Sequence, residues 1–406
     1  KDMTVTEKRT FWACATGWAL DGMDFMIYPL VIGTIIKLWS VDAGTAGLAA
    51  TVTLLASALG GWLAGYLADR IGRVLTLQIT ILWFSFFSLV CAFAQDFSQL
   101  LIARALLGLG FGGEWAAGAV LMGETIRAQY RGRAVGSVQS GWAIGWGAAA
   151  LLYTLFFSLL PPETAWRALF FVGIAPAFLV FFLRRYIEEP EVYRESQARI
   201  AETGDKPSFF EIFQPPLLRI TFLGALMSTG AQGGYFAVTT WLPTFLRTER
   251  GLSVMNSGGY LAVLIVGSFF GYLAGAYLAD RIGRRATFLV FAVGAGVVVT
   301  TYTMVPFGDA AMLVLGFPLG FFASGVFSAM GAFFTEQFPT RVRGVGQGFA
   351  YNFGRAIGAV FPTLVGVMSA TMPLGQAIGL FAAAAYATMA VAAFLLPETK
   401  GKALTA

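Results

Sequence analysis

Tyr66-Leu67-Ala68-Asp69-Arg70-Ile71-Gly72-Arg73 recurs without a single change as Tyr277-Leu278-Ala279-Asp280-Arg281-Ile282-Gly283-Arg284. Sliding the chain on itself by 211 positions superposes these stretches, and by 212 positions Glu124 falls on Glu336, Arg131 on Arg343 and Gly132 on Gly344. A repeat of this period makes the chain two copies of one structural unit, each bearing a charged turn between apolar segments. Outward from the turns, apolar runs cover 11–36, 45–68, 74–94, 99–124, 134–160 and 166–186, then 219–246, 257–279, 286–305, 310–334, 346–370 and 374–396. Each reaches the roughly 20 residues that cross a bilayer as a helix.

Composition agrees. The 406 residues are 57% hydrophobic and 12% charged, against about 45–50% and about 25% for a soluble domain. The short alternating strands of a membrane barrel are missing. The fold expected is therefore an all-α membrane protein of twelve transmembrane helices in two six-helix, pseudo-symmetric bundles. Its divisions are 1–186 (first bundle), 187–218 (a polar linker with Glu188, Glu189, Glu191, Arg194, Glu195 and Asp205) and 219–406 (second bundle). Of 27 Lys and Arg residues, 21 fall on the side holding both termini, the linker and both repeated turns, and four on the other. The positive-inside rule makes that richer side cytoplasmic and accounts for the +5 net charge without nucleic acid. Arg104 and Arg355 are the two that remain, and they lie within apolar segments. A plasma membrane, or bacterial inner membrane, location is expected, with no cleavable signal peptide.

The chain has no histidine, and its two cysteines, Cys14 and Cys91, sit within apolar runs. Nucleophile–histidine catalysis, a histidine metal site and a disulfide framework are thereby excluded. No enzyme activity, metal or cofactor is expected, and any proton must travel on Asp or Glu.

The Gly65-x-x-x-Asp69-Arg70-x-Gly72-Arg73 turn, its second copy and the six-plus-six plan resemble the major facilitator superfamily over essentially the whole chain. Asp21-Gly22-Met23-Asp24 resembles a signature of aromatic-acid and sialate symporters. Gly112-Gly113-Glu114-Trp115 is similar to sialate and metabolite:proton symporters, and Gly141-Trp142-Ala143-Ile144-Gly145-Trp146 to nicotinate-type members. The resemblance implies alternating access between two halves, a proton as the coupling ion and a small organic acid as substrate.

The residues themselves point the same way. Asp21 and Asp24, three apart, share a helix face, and two carboxylates taken out of water there favour keeping one protonated, a proton-coupling device. Glu114, about mid-depth in the fourth segment, is the second proton candidate. Arg355, near the middle of the eleventh, needs a carboxylate, either a fixed internal one or that of a substrate. Asn352, Tyr351, Gln232, Tyr235 and Gln139 are candidate hydrogen-bonding partners for a substrate, and Trp142, four before Trp146, a candidate stacking surface or simply helix packing. Arg104, some 15 Å along its helix from Glu114 at 1.5 Å per residue, is a weaker substrate candidate that can snorkel outward. Asp69, Arg70, Arg73, Glu124 and Arg131, with Asp280, Arg281, Arg284, Glu336 and Arg343, are assigned to gating. In that reading Asp69 and Asp280 meet Arg131, Arg133, Arg341 or Arg343, or the positive N-terminus of an adjacent helix, when the inner side shuts.

The expected function is import of a small carboxylate by proton symport, with the lipid bilayer as surroundings and a single chain as a complete unit. A proton-driven drug or metabolite exporter and a uniporter are the alternatives. The Gly-x-x-x-Gly-Pro pattern of such exporters is absent from Gly136 to Ala150.

Overall fold

The computed structural model describes residues 3–127, 131–190, 194, 195, 198, 208–338 and 342–400. The side chains of Asp69, Arg70, Arg131 and Arg343, and all of Arg341, lie outside the described residues, as does most of the linker. Fifteen α-helices and no strand occur among the described residues. In chain order they are α1 (Val5–Phe25), α2 (Ile27–Trp39), α3 (Ala43–Ile71), α4 (Arg73–Ala92), α5 (Phe97–Thr125), α6 (Arg131–Leu159), α7 (Pro162–Val172), α8 (Leu179–Tyr186), α9 (Leu217–Thr248), α10 (Val254–Ile282), α11 (Arg284–Met304), α12 (Asp309–Gln337), α13 (Arg343–Gly358), α14 (Phe361–Met368) and α15 (Leu374–Leu395). The twelve expected crossings are all accounted for, because three of them are broken: α1/α2, α7/α8 and α13/α14.

Proline geometry explains where. A proline ring collides with the carbonyl four residues back and removes its own donor. Pro29, Pro176 and Pro362 lie four residues after Phe25, Val172 and Gly358, the last residues of α1, α7 and α13. Pro243 and Pro318 sit within unbroken α9 and α12, so proline alone does not decide the outcome. The breaks at Met26 and after Gly358 fall two and four residues from Asp24 and Arg355.

Nine spans among the described residues are long and apolar enough to cross a membrane. The crossings that fall short are α7/α8 and α13/α14, which are broken, and α9, which carries buried Ser228, Thr229, Gln232, Thr239 and Thr240. Polarity that lowers membrane character marks the interior of a transport path.

Each repeated turn hinges on a glycine that L-residues fit poorly: Gly72 has φ 104° and Gly283 φ 99°. A glutamate then caps the helix that follows. Glu189 accepts from the N–H groups of Arg73 and Val74, both at 2.8 Å, and Glu398 from those of Arg284 and Arg285 at 2.9 and 3.0 Å. Free N–H groups and the positive end of the helix dipole favour a carboxylate there.

Within the first half, α3 packs on α5 and α1 on α6 through glycines. A Cβ at Gly112 would fall on the Ser57 carbonyl oxygen, and one at Gly145 on that of Ala19. Small residues let helix backbones approach where no hydrophobic effect drives them together. Gly112→Val is expected to cost about 1–3 kcal/mol through overpacking. Its melting temperature in detergent should fall, and an unchanged value would show that the α3–α5 contact is looser than the structure has it.

Candidate functional site

The buried charges of the first half gather on α1 and its neighbours. Asp21 and Asp24 are both fully buried, and Glu114 of α5 is 4% exposed. Glu114 leans across Gly17, where a Cβ would come within 2.7 Å of its Oε1. Asp21 faces Glu114 and, more distantly, feels Arg355. Among the described residues, Asp21 and Glu114 Oε2 receive no N–H or hydroxyl from any other side chain or backbone group, so the two carboxyls have each other. A carboxyl pair in that condition costs least when it shares a proton, since a bare carboxylate out of water is penalised heavily.

The expected Asp21–Asp24 pair is thus only part of the arrangement. Successive residues three apart on a helix are offset by about 60°, and that offset sends the two carboxyls to different neighbours. Asp24 accepts from the Ser88 hydroxyl of α4, whose oxygen also lies 3.3 Å from the Phe170 carbonyl oxygen, a weaker second acceptor for the same proton. Gly173, at the α7 break, leaves room for both, because a Cβ there would strike Ser88 Oγ and Asp24 Oδ1. Ser88 was not singled out in the sequence. Its one signal is a hydroxyl within the apolar run at 74–94.

Arg104 does not snorkel. It is 1% exposed, its guanidinium lies 4.7 Å from the centre of the Tyr28 ring, and its field acts on Asp24. Its Nε and Nη1, like Nη1 of Arg355, have no hydrogen-bond partner among the described residues, and it sits with Asp24 and Tyr28 in the first half rather than with Gln232 and Tyr351.

Arg355 of α13 is 2% exposed. Its Nε donates to Gln232 Oε1 at 3.1 Å, while Gln232 Nε2 donates to the Tyr351 carbonyl at 2.9 Å. The guanidinium lies 5.3 Å from the Phe111 ring centre and 5.0 Å from that of Tyr351. Nη1 has no hydrogen-bond partner, and among the described residues Arg355 forms no ion pair. Of the two partners the sequence left open, the fixed internal carboxylate is therefore not in place. Tyr351 stacks on Trp115 across the two halves at 3.7 Å and 10°. Asn352, fully buried, spends its amide on the Gly348 carbonyl at 2.9 Å and lays its unpartnered Oδ1 against Gly61.

Trp142 has a defined place. Its Nε1 donates to the Tyr235 hydroxyl across the halves at 2.8 Å, and its ring lies 5.0 Å from Trp18, 5.7 Å from Phe25 and 5.9 Å from Phe111. Phe25 and Phe111 carry no signal in the sequence that separates them from the other aromatics, 61 in all. Gln139 is buried with Glu114, Trp18 and Trp115 on the wall of a small cavity of about 40 Å³ that Cys14, Met122 and Val135 also line. At the opposite end the halves are joined by Thr51 and Thr363 at 2.6 Å and by Arg247 Nη1 donating to the Tyr153 hydroxyl at 3.0 Å.

The gating candidates whose side chains the structure describes form ion pairs at both turns. Arg73 reaches Glu124 at 3.3 Å, and Arg284 reaches Glu336 at 2.7 Å and Asp280 at 2.8 Å. Each of these pairs stays within one half, tying the turn to α5 or α12. Asp280 therefore meets its own turn's arginine, because the Gly283 hinge swings Arg284 back over the end of α10. Arg281 offers its carbonyl to Lys400 Nζ at 2.7 Å. Arg133 crosses between the halves instead, 5.4 Å from the Tyr277 ring centre.

A family model described as Major Facilitator Superfamily matches residues 14–363 and 267–404. The chain is 41% identical to a probable 4-methylmuconolactone transporter of Cupriavidus pinatubonensis, over 98% of this chain and 92% of that one. It is 29% identical to the cis,cis-muconate transport protein of Acinetobacter baylyi, over 93% and 92%. The solved structure of the proton:xylose symporter XylE bound to 6-bromo-6-deoxy-D-glucose superposes with a TM-score of 0.78, at 16% identity and 98% coverage of both chains, a likeness of fold.

Proposed function

The chain belongs to the Major Facilitator Superfamily, and from that premise we propose that it imports a small carboxylic acid together with a proton. It is a multi-pass membrane transporter, and the two relatives bear the names of unsaturated carboxylic acids or their lactones. The observation that carries the reading is Arg355: a buried guanidinium at the contact of the two halves, with an unpartnered nitrogen and aromatic rings on both sides. A cation that cannot discard its proton, held out of water without an anion, is a site waiting for one.

Coupling follows from electrostatics. While Asp21 is ionised it partly neutralises Arg355, so a substrate anion at Arg355 must displace that influence. A proton arriving at the Asp21–Glu114 pair removes the competing charge and favours the anion, and losing it inside releases both. The end bearing the repeated turns is the cytoplasmic one by its excess of Lys and Arg, and a bacterial inner membrane suits the relatives. One chain supplies both halves of the site, so the working unit is a monomer.

The test uses de-energised proteoliposomes and a panel of carboxylic acids. Adding a substrate acid outside should alkalinise the medium in step with uptake, and Arg355→Ala should abolish both signals. Uptake without a pH change would mean uniport, and acidification driven by cationic drugs would mean export.

A further inference from the structure

The carboxylate site leaves a group of buried hydroxyls without a task. One turn beyond Gln232 on α9, Tyr235 receives the Trp142 N–H, and Tyr272 of α10 and Ser324 of α12 stand within hydrogen-bonding reach of its hydroxyl. Ser324 in turn donates to Ser268 at 2.9 Å. Tyr386 of α15, 1% exposed, presents a hydroxyl with no partner. Among the described residues, the groups that act most strongly on Tyr235, Tyr272 and Tyr386 are uncharged. The cluster is a neutral pole of donors and acceptors.

It is joined to Arg355 by flat surfaces. Phe111 lies under the guanidinium and 5.9 Å from Trp142, which ends at Tyr235. Phe236, next to Tyr235, faces Phe25 of the other half at 5.6 Å. A body that parts these rings must itself be flat to recover the ring contacts it breaks.

The two poles set different demands. At Arg355 an anion gains a charge-assisted bond. Among the hydroxyls a second carboxylate would meet no cation, and a charge brought there unpaired is strongly penalised. A neutral hydroxyl, carbonyl or ring nitrogen meets donors and acceptors that suit it. We propose that Tyr235, with Tyr272, Ser324 and Tyr386 around it, is the specificity pole of the site. It takes an uncharged polar group at the far end of a flat monocarboxylate and turns away a second carboxylate. This rests on the reading of Arg355 as the carboxylate site. cis,cis-Muconate, the dicarboxylate for which one relative is named, is then a poor ligand of this chain.

Binding to the purified full chain, read by tryptophan fluorescence, tests the proposal with benzoate, 4-hydroxybenzoate, nicotinate, terephthalate and cis,cis-muconate as probes. In the wild type 4-hydroxybenzoate should bind more tightly than benzoate by roughly 5- to 150-fold, the range set by leaving a buried polar group unsatisfied. Terephthalate and muconate should be weaker than either 4-hydroxybenzoate or nicotinate. Tyr235→Phe should bring benzoate and 4-hydroxybenzoate together while leaving the dependence on Arg355 intact. Should that variant lose its fold, Tyr386→Phe, which removes a hydroxyl with no partner, reads the same ratio. Dicarboxylates binding as tightly as 4-hydroxybenzoate, or a ratio untouched in both variants, would overturn the specificity pole alone. Undiminished binding of every probe to Arg355→Ala would overturn the carboxylate site with it.

Discussion

Arg355→Ala is expected to remove measurable binding and transport of the acid substrate while the protein remains folded. Truncating one member of a buried charge pair costs about 2–5 kcal/mol, on the order of 30-fold to a few thousand-fold in Kd. The fold should survive because, among the described residues, the guanidinium's hydrogen bonds go to neutral partners, Gln232 and Tyr351, and it forms no ion pair. The variant even relieves the structure of an unpaired buried cation. Arg355→Lys separates charge from shape. A lysine restores the positive charge but offers no planar fork and cannot keep the flat contacts with Phe111 and Tyr351, so it should recover only part of the affinity. Binding titrations on purified protein, with counterflow in proteoliposomes, make the comparison. If Arg355→Ala binds within about threefold of wild type, an effect no larger than that of an exposed ion pair, the anion is held elsewhere.

How much of this the sequence discloses depends on the kind of signal. The architecture is legible because each crossing needs a long apolar run, and the eight-residue repeat at 66–73 and 277–284 fixes the symmetry independently of hydropathy. The breaks in α1/α2, α7/α8 and α13/α14 are legible only in hindsight. Pro29, Pro176 and Pro362 mark them, but Pro243 and Pro318 look the same in sequence and break nothing. Charged members of the site stand out, since Asp21, Asp24, Glu114 and Arg355 are conspicuous in apolar helices. Their grouping does not. Spacing on α1 joins Asp21 to Asp24, whereas packing joins Asp21 to Glu114 and Asp24 to Ser88, a choice made by α4 and α5 rather than by α1. Arg104 shows the same limit: its place near an outer helix end suggests an arginine reaching for water, yet Tyr28 and Asp24 receive it inside. Aromatic walls are the least legible, because Phe25 and Phe111 differ from other phenylalanines only in what faces them across the two halves.

The proton pair gives the second large effect, and its signature is a split between two assays. Glu114→Gln and Asp21→Asn each fix one member of the pair in an uncharged form. If the proton at this pair is what favours the anion at Arg355, the protonated condition becomes permanent. Substrate binding and substrate–substrate exchange should then persist, with their pH dependence flattened. Net accumulation driven by a pH gradient should fall by roughly 5- to 150-fold, the range of an ordinary coupling free energy. Asp21→Asn is the stronger test, since Asp21 interacts with both Glu114 and Arg355, and an amide there can still donate to Glu114 in place of the shared proton. Asp24→Asn has a different expectation: it weakens the charge-assisted bond from Ser88 and leaves Arg104 less well compensated, so its first effect should be on stability, seen as a lower melting temperature. Exchange and accumulation falling together in Asp21→Asn would show that the carboxylate belongs to substrate binding and not to coupling. Accumulation unchanged in both Asp21→Asn and Glu114→Gln, and lost in Asp24→Asn, would move the coupling site to the Asp24–Ser88–Arg104 group.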